Sequence, residues 1–144
     1  MSNKIVFIDR DGVRRKAFAE ALRSEGYNVA EFACGKDAVS HLLSNTVNGI
    51  VVDHGNSIEV NNPVPDGKRI VKEIVDVDAF VPLILICDRC DELEHETSSA
   101  ADMILRRPLT PVQLISGVNT ALSETLVQRT QRKSRYIYAF RFAS

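Results

Sequence analysis

The sequence lacks any apolar run long enough to cross a membrane as a helix, which argues against an integral membrane protein. Its first residues, MSNKIVFID, lack the small-residue cleavage site that ends a signal peptide. The 144 residues include three cysteines, an odd number that does not make a disulfide framework. These absences together predict a cytoplasmic protein.

Charge is nearly balanced over the whole chain but unevenly distributed along it. The net charge is -1, yet residues 125–144 carry five basic residues and no acidic one. The preceding residues are therefore acidic, which is unlike a uniformly basic nucleic-acid binder. We predict one domain over residues 1–124 and a basic aromatic tail or linker over residues 125–144.

Short apolar runs and helical patterns alternate five times along the first 124 residues. Strands are predicted near Lys4–Ile8, Asn28–Phe32, Gly49–Val52, Leu83–Ile86 and Met103–Leu105. Helices are predicted near 13–25 and 36–43, from 67 onward, within 92–100 and from Pro111 onward. This order predicts an α/β fold, a flavodoxin-like (βα)5 domain with a doubly wound five-stranded parallel sheet.

Two of the predicted strands run directly into a carboxylate, Asp9 after the first and Asp53 after the third. The carboxyl ends of parallel strands share one edge of the sheet, where α/β folds place their ligands. The sequence therefore predicts a small acidic pocket suited to Mg²⁺ or a phosphoryl group.

Three segments carry a resemblance to a known family: EALRSEGYNVAEFACGKDAVSHL, VPLILICD and AADMILRRPLTPVQLISGVNTAL. In this order they resemble the first-helix to second-helix region, the fourth strand and the fifth strand to last helix of receiver domains. These are the receiver domains of bacterial two-component response regulators. The resemblance covers about residues 3–124. It implies a cytoplasmic signalling domain that takes part in a phosphorelay.

The resemblance also implies roles for single residues. Asp53 matches the phosphoaccepting aspartate, and Asp9 matches the first of two acids that help to hold Mg²⁺. The second acid is replaced by Arg10, a fixed cation that is expected to weaken Mg²⁺ binding and to pair with Asp9 or Asp53.

Further departures lie around the same pocket. Cys87 stands where the family has a hydroxyl, and a thiol is a weaker hydrogen-bond donor. Arg107 before Pro108 replaces a lysine and is expected to pair with the phosphoryl oxygens. Ile104 stands where the family often has a switching aromatic residue. A long loop between Asp53 and Asp66 is expected to border the pocket and to cover it.

Two versions of the receiver function stay open at this stage. In one, a histidine kinase phosphorylates Asp53 with Mg²⁺ bound, and no catalysis beyond self-phosphorylation and autodephosphorylation is expected. In the other, a pseudo-receiver binds partners without phosphorylation, with Arg10 as the internal counter-ion. Both use the face of the fourth helix, fifth strand and fifth helix for partner proteins or a homodimer.

An alternative reading starts from Ile8-Asp9-Arg10-Asp11-Gly12-Val13, which resembles the first motif of haloacid-dehalogenase-type phosphatases. Asp9 would be the nucleophile and Asp11 the general acid/base. The later motifs that such an enzyme needs are missing, since Cys87 occupies the strand end where a Ser or Thr is required.

Two other features have several interpretations. Cys87-Asp-Arg-Cys90 fits a redox pair or half of a zinc site, but one semi-buried thiol and one loop thiol are expected.

In the tail, Tyr136, Tyr138, Phe140 and Phe142 alternate with strand period. The tail is read as a linker or helix extension, or as an edge strand for self-association, while nucleic-acid contact is not favoured.

Overall fold

The computed structural model describes residues 2–54, 66–88 and 95–142. Its strands are β1 (Lys4–Ile8), β2 (Asn28–Phe32), β3 (Gly49–Asp53), β4 (Leu83–Cys87) and β5 (Met103–Arg106). Its helices are α1 (Gly12–Ser24), α2 (Gly35–Ser44), α3 (Asp66–Val77), α4 (His95–Ala100), α5 (Pro111–Ser123) and α6 (Leu126–Phe142).

The five strands form one parallel sheet in the order β2-β1-β3-β4-β5. This is the flavodoxin-like order, in which the chain reverses direction beside β1 and leaves a crevice at the carboxyl ends of β1 and β3. The predicted fold class is confirmed. All five predicted strands are present.

Alternate residues of the central strands point to opposite faces, so each face has its own core. Ile5, Phe7, Val51 and Ile84 pack with α1 and α5 on one face. On the other face, their chain neighbours pack with α2, α3 and α4. Burial on both faces explains why these strands read as continuous apolar runs rather than as alternating ones.

Local signals place the helix ends. Asp11 caps α1 by accepting hydrogen bonds from the amides of Val13 and Arg14, and Thr110 forms a capping box with Gln113 at the start of α5. Gly26 follows α1 with a φ of 96°, a left-handed conformation that favours glycine. Val13, expected on the apolar side of α1, is instead 85% exposed.

The tail is helical along its described length. The main chain of α6 is helical from Leu126 to Phe142, so the edge-strand interpretation of the aromatic alternation is wrong. The helix-extension interpretation fits the structure, although a turn at Glu124 and Thr125 separates α6 from α5. In the described part of the chain, no helix combines the length and the apolar character needed to cross a bilayer.

Candidate functional site

The two predicted carboxylates meet at the crevice. Asp9 directly follows β1 and Asp53 ends β3, and both side chains are almost wholly buried, with about 1% of each exposed. Neighbouring strand ends in register bring the two groups to the same edge. Two buried carboxylates this close require cationic partners, because an uncompensated buried charge is strongly disfavoured.

Arg14, in the first turn of α1, binds both carboxylates. Its Nε and Nη2 atoms donate to the two oxygens of Asp9 at 2.8 and 3.0 Å, the forked geometry that guanidinium and carboxylate groups favour. The same Nη2 lies 3.1 Å from Oδ2 of Asp53. A single side chain therefore bridges the two acids predicted to face a metal ion and a phosphoryl group.

Arg107 supplies the second cation. Its Nη2 donates to Oδ2 of Asp53, and its Nη1 lies 3.1 Å from Oδ1 of Asp88. The backbone amide of Arg107 donates to the carbonyl of Cys87 at 3.0 Å, which ties the residue to the end of β4. Among described residues, its buried Nε has no hydrogen-bond acceptor.

The electrostatics of the two arginines differ. Hydrogen bonding to Asp9 raises the pKa of Arg14, with the nearby acids adding to the effect. Burial lowers the pKa of Arg107, and the adjacent Arg14 lowers it further. Arginine nevertheless stays protonated throughout the physiological range. The pocket thus contains two permanent cations that no change of pH near neutrality removes.

Arg14 is therefore an internal counter-ion of the pocket, whereas the side chain of Arg10, the residue predicted for that role, is exposed. A cation beside the two acids was predicted at Arg10, and the structure shows one at Arg14, four residues further along the chain. A basic residue in the first turn of a helix opposes the helix dipole. Arg14, placed there just after an aspartate-ended strand, was the signal that could have identified it.

Cys87 ends β4 fully buried and is disulfide-bonded. It therefore has no thiol hydrogen to donate, and the expectation of a weak thiol donor at this position is wrong, as is that of a semi-buried free thiol. Cys90, the other half of the CxxC pattern, lies outside the described residues. So does most of the loop that was expected to cover the pocket.

Three further residues on or near the strand ends have other positions. Asp11 is the N-cap of α1, and the amide of Arg14 is the largest cause that lowers its pKa. His54 follows Asp53, and its amide donates to the carbonyl of Ile86 at 2.8 Å. Ile104 is partly exposed on β5. Asp11 as a cap and Asp9 in a fork with Arg14 give the phosphatase alternative no free nucleophile and acid pair.

Magnesium does not fit the site in this arrangement. Mg²⁺ needs near-octahedral oxygen ligands, and the oxygens of Asp9 already accept from Arg14. Over the ranges that the structure describes, no group of three or more His, Cys, Asp and Glu side chains is placed to hold a metal ion.

Sequence comparison connects the chain with response regulators. It is 26% identical over 124 residues to the regulatory protein VanRc of Enterococcus gallinarum, covering 85% of this chain and 51% of that protein. It is 30% identical over 103 residues to the response regulator SaeR of Staphylococcus epidermidis, covering 69% of this chain and 41% of that protein. The chain thus spans about half the length of the curated relatives it matches or less. No family model matches it.

Structural comparison gives the same class. The response regulator protein TrrA of Thermotoga maritima, solved in complex with Mg²⁺ and BeF, superposes with a TM-score of 0.70 at 21% identity. That match covers 84% of this chain and 99% of the other. The fold and the sequence similarity together confirm the predicted resemblance to the receiver domains of response regulators. The comparisons give no support to the phosphatase alternative.

Proposed function

We propose that this domain is a pseudo-receiver, which signals through protein contacts while its own arginines close the phosphorylation pocket. The observation that carries the proposal is the position of Arg14, whose guanidinium group bonds both Asp9 and Asp53. Phosphoryl transfer to Asp53 requires a divalent cation beside that carboxylate and an oxygen free to attack. Arg14 opposes both requirements, because it takes the place of the cation beside the carboxylates and contacts the Oδ2 oxygen of Asp53.

A permanent arginine differs from Mg²⁺ in its consequences. A metal ion exchanges with solution, whereas Arg14 is held at the pocket by the Asp11 cap and by α1 itself. Its charge is constant, so Arg14 supplies the pocket with a fixed cation in place of an exchangeable one. A domain of this kind responds to partner binding rather than to a phosphodonor.

The partner surface is proposed to be the one formed by α4, β5 and α5. Ile104 on β5 and Val112 on α5 are exposed apolar side chains there, 37% and 75% accessible. Exposed apolar residues on a surface framed by polar groups suit a protein partner. A histidine kinase, another signalling protein or a second copy of the domain remain the candidate partners.

The competing function is a working phosphoacceptor. It is favoured by the position of Asp53 at the carboxyl end of β3 and by its pairing with Arg107, whose Nε has no acceptor among the described groups. In this version Asp9 and Asp53 would hold Mg²⁺ only with the Arg14 guanidinium group displaced from them, and Arg107 would pair with the phosphoryl oxygens. The two functions differ in what happens when Arg14 is removed.

The deciding experiment is phosphorylation by a small-molecule phosphodonor with Mg²⁺, followed by intact mass. The proteins are the wild type, Arg14→Gln, Asp53→Asn and the double variant, with Lys16→Gln as the control because Lys16 is exposed on the same helix. We expect no adduct on the wild type or on Lys16→Gln. We expect a phosphoryl adduct on Arg14→Gln that disappears in the double variant.

A phosphoryl adduct on the wild type that Asp53→Asn abolishes would overturn the pseudo-receiver proposal and establish the phosphoacceptor. Absence of an adduct on every variant supports closure of the pocket by more than Arg14, with Arg107 as the remaining cation. Beryllofluoride binding, followed by heteronuclear NMR, tests the same variants without a covalent step.

A further inference from the structure

The amino-terminal part of α6 is fixed to the domain by specific contacts. Thr125 and Gln128 exchange two side chain to backbone hydrogen bonds of 3.1 Å, which is the capping-box pattern that also begins α5. Arg129 then donates from Nε to the carbonyl of Phe80 at 2.8 Å. The helix also packs against α4. The first turns of α6 are therefore docked against the rest of the domain.

Asp102 is the centre of this docking. It lies immediately before β5 with its side chain 2% exposed, and its Oδ2 accepts from the amide of Leu83 at 2.6 Å and from Nζ of Lys133 at 2.9 Å. Arg132 donates to the other oxygen, Oδ1, and also binds both oxygens of Glu124. We call the group of Asp102, Arg132 and Lys133 the α6 latch.

The burial of Lys133 makes the α6 latch specific. This lysine is only 4% exposed and also donates to the carbonyl of Val81. Lysine is almost never buried without a paired acceptor, and here burial lowers its pKa while Asp102 opposes that shift. Removing Asp102 takes away the carboxylate that compensates the buried charge of Lys133, whereas removing Lys133 leaves Asp102 with Arg132 as its cation.

The α6 latch and the pocket are attached to opposite ends of the same two strands. β4 and β5 pair in register from Ile84 with Met103 to Cys87 with Arg106. Leu83 and Asp102 belong to the latch end, whereas Asp88 and Arg107 follow the strands at the pocket end. These two strands, about 15 Å long, therefore run from the latch to the pocket with close-packed core contacts along their length.

We propose that α6 is a releasable helix whose docking at Asp102 is coupled to the charge of the pocket through β4, α4 and β5. Neutralising Asp53 removes one of the two carboxylates that hold Arg107 and leaves Asp88 as its acid partner. The ends of β4 and β5 then adjust together, and the latch at their other ends responds. Coupling of this kind is reciprocal, so opening the latch must also affect the pocket.

Release is tested by hydrogen exchange with mass spectrometry on the full chain. Lys133→Met fills the same volume without the charge, and Lys72→Met is the matched control because Lys72 is exposed on α3. We expect exchange over residues 126–134 to become at least about tenfold faster in Lys133→Met, with β1 and β3 still protected. Arg132→Gln, at the more exposed cation, provides a milder opening if Lys133→Met folds poorly.

Two results would overturn the proposal that α6 is released while the rest of the domain stays folded. One is unchanged exchange over 126–134 in both latch variants. The other is loss of protection in β1 and β3 in step with α6, which would make α6 an inseparable part of the global fold. No change is expected in Lys72→Met.

Coupling is tested by combining a substitution in the pocket with a substitution in the α6 latch. We expect Asp53→Asn to change exchange over 126–134 by at least about threefold, and this effect to vanish in Asp53→Asn/Lys133→Met, where the helix is already released. Equal α6 exchange in the wild type and Asp53→Asn would sink the coupling. None of these measurements uses a phosphodonor, so their outcome is independent of whether Asp53 accepts a phosphoryl group.

Discussion

The two ends of the sheet contain clusters of the same design. At the carboxyl end, buried Asp53 is bonded by Arg14 and Arg107, and at the amino end buried Asp102 is bonded by Arg132 and Lys133. Each cluster joins elements that are far apart in sequence. The comparison shows that this fold twice uses a pair of cations around one buried aspartate to hold distant elements together.

The clusters differ in what their charges replace. The resemblance to receiver domains predicts that the pocket takes Mg²⁺ and a phosphoryl group. Here the guanidinium groups of Arg14 and Arg107 contact the carboxylates instead. The latch has no such counterpart and fixes a helix instead. In the function proposed above, the same arrangement of charges closes the pocket at one end of the sheet, and at the other end it holds α6 against the domain.

The largest expected effect is at the latch. Asp102→Ala leaves Lys133 as a buried cation and removes the acceptor of the Leu83 amide, so we expect a loss of about 3–5 kcal/mol in the free energy of unfolding. Urea denaturation monitored by circular dichroism measures it. Asp76→Ala, at an exposed position of α3, is the control and is expected to change stability by less than about 0.5 kcal/mol. Equal losses in the two variants would contradict the central role of Asp102.

A smaller effect is expected at the pocket. Arg14 is 34% exposed, so solvent screens part of its interaction with Asp9 and Asp53. We expect Arg14→Gln to lose about 1–2 kcal/mol of unfolding free energy, less than Asp102→Ala, in the same urea experiment. Lys16→Gln on the same helix is the control. An Arg14→Gln protein as stable as the wild type would show that the fork is not a stabilising pair, and the comparison between the two ends would fail.

The sequence was sufficient for the sheet and for the position of the acids. Buried parallel strands produce continuous apolar runs, and a carboxylate after such a run must lie at the sheet edge, which gave Asp9 and Asp53. The N-cap residues Asp11 and Thr110 were likewise readable, because capping depends on local spacing. These features depend on neighbours in sequence.

The arginine at the pocket was harder to assign. Arg10, Arg14 and Arg15 all follow β1 within six residues, and the direction in which α1 leaves the strand decides that the Arg14 guanidinium group meets the Asp9 carboxylate. The edge-strand interpretation of the tail failed for a related reason. Aromatic residues at every second position fit a strand, but the Thr125 to Gln128 spacing repeats the Thr110 to Gln113 cap and predicts a helix start.

The smallest expected effect is a pH dependence that separates the two ends. The hydrogen bond from Arg132 lowers the pKa of Glu124 below its usual 4.5. A carboxyl whose folded-state pKa is lowered contributes stability above its unfolded-state pKa and loses that contribution as pH falls through the lower folded-state value. We therefore expect Glu124→Gln to be slightly less stable than the wild type near pH 7, and the difference to shrink below pH 4.5.

Unfolding free energies of both proteins measured from about pH 7 to pH 3 test this, with hydrogen exchange over 126–134 as the local readout. Acid is expected to speed exchange in α6 of the wild type more than in that of Glu124→Gln, after correction for the intrinsic rate. Asp11→Asn is the counterpart at the pocket end, because Asp11 also has a lowered pKa but caps α1 instead of binding α6. If Asp11→Asn and Glu124→Gln alter the acid response of α6 equally, the effect comes from global stability and not from the bond between Glu124 and Arg132.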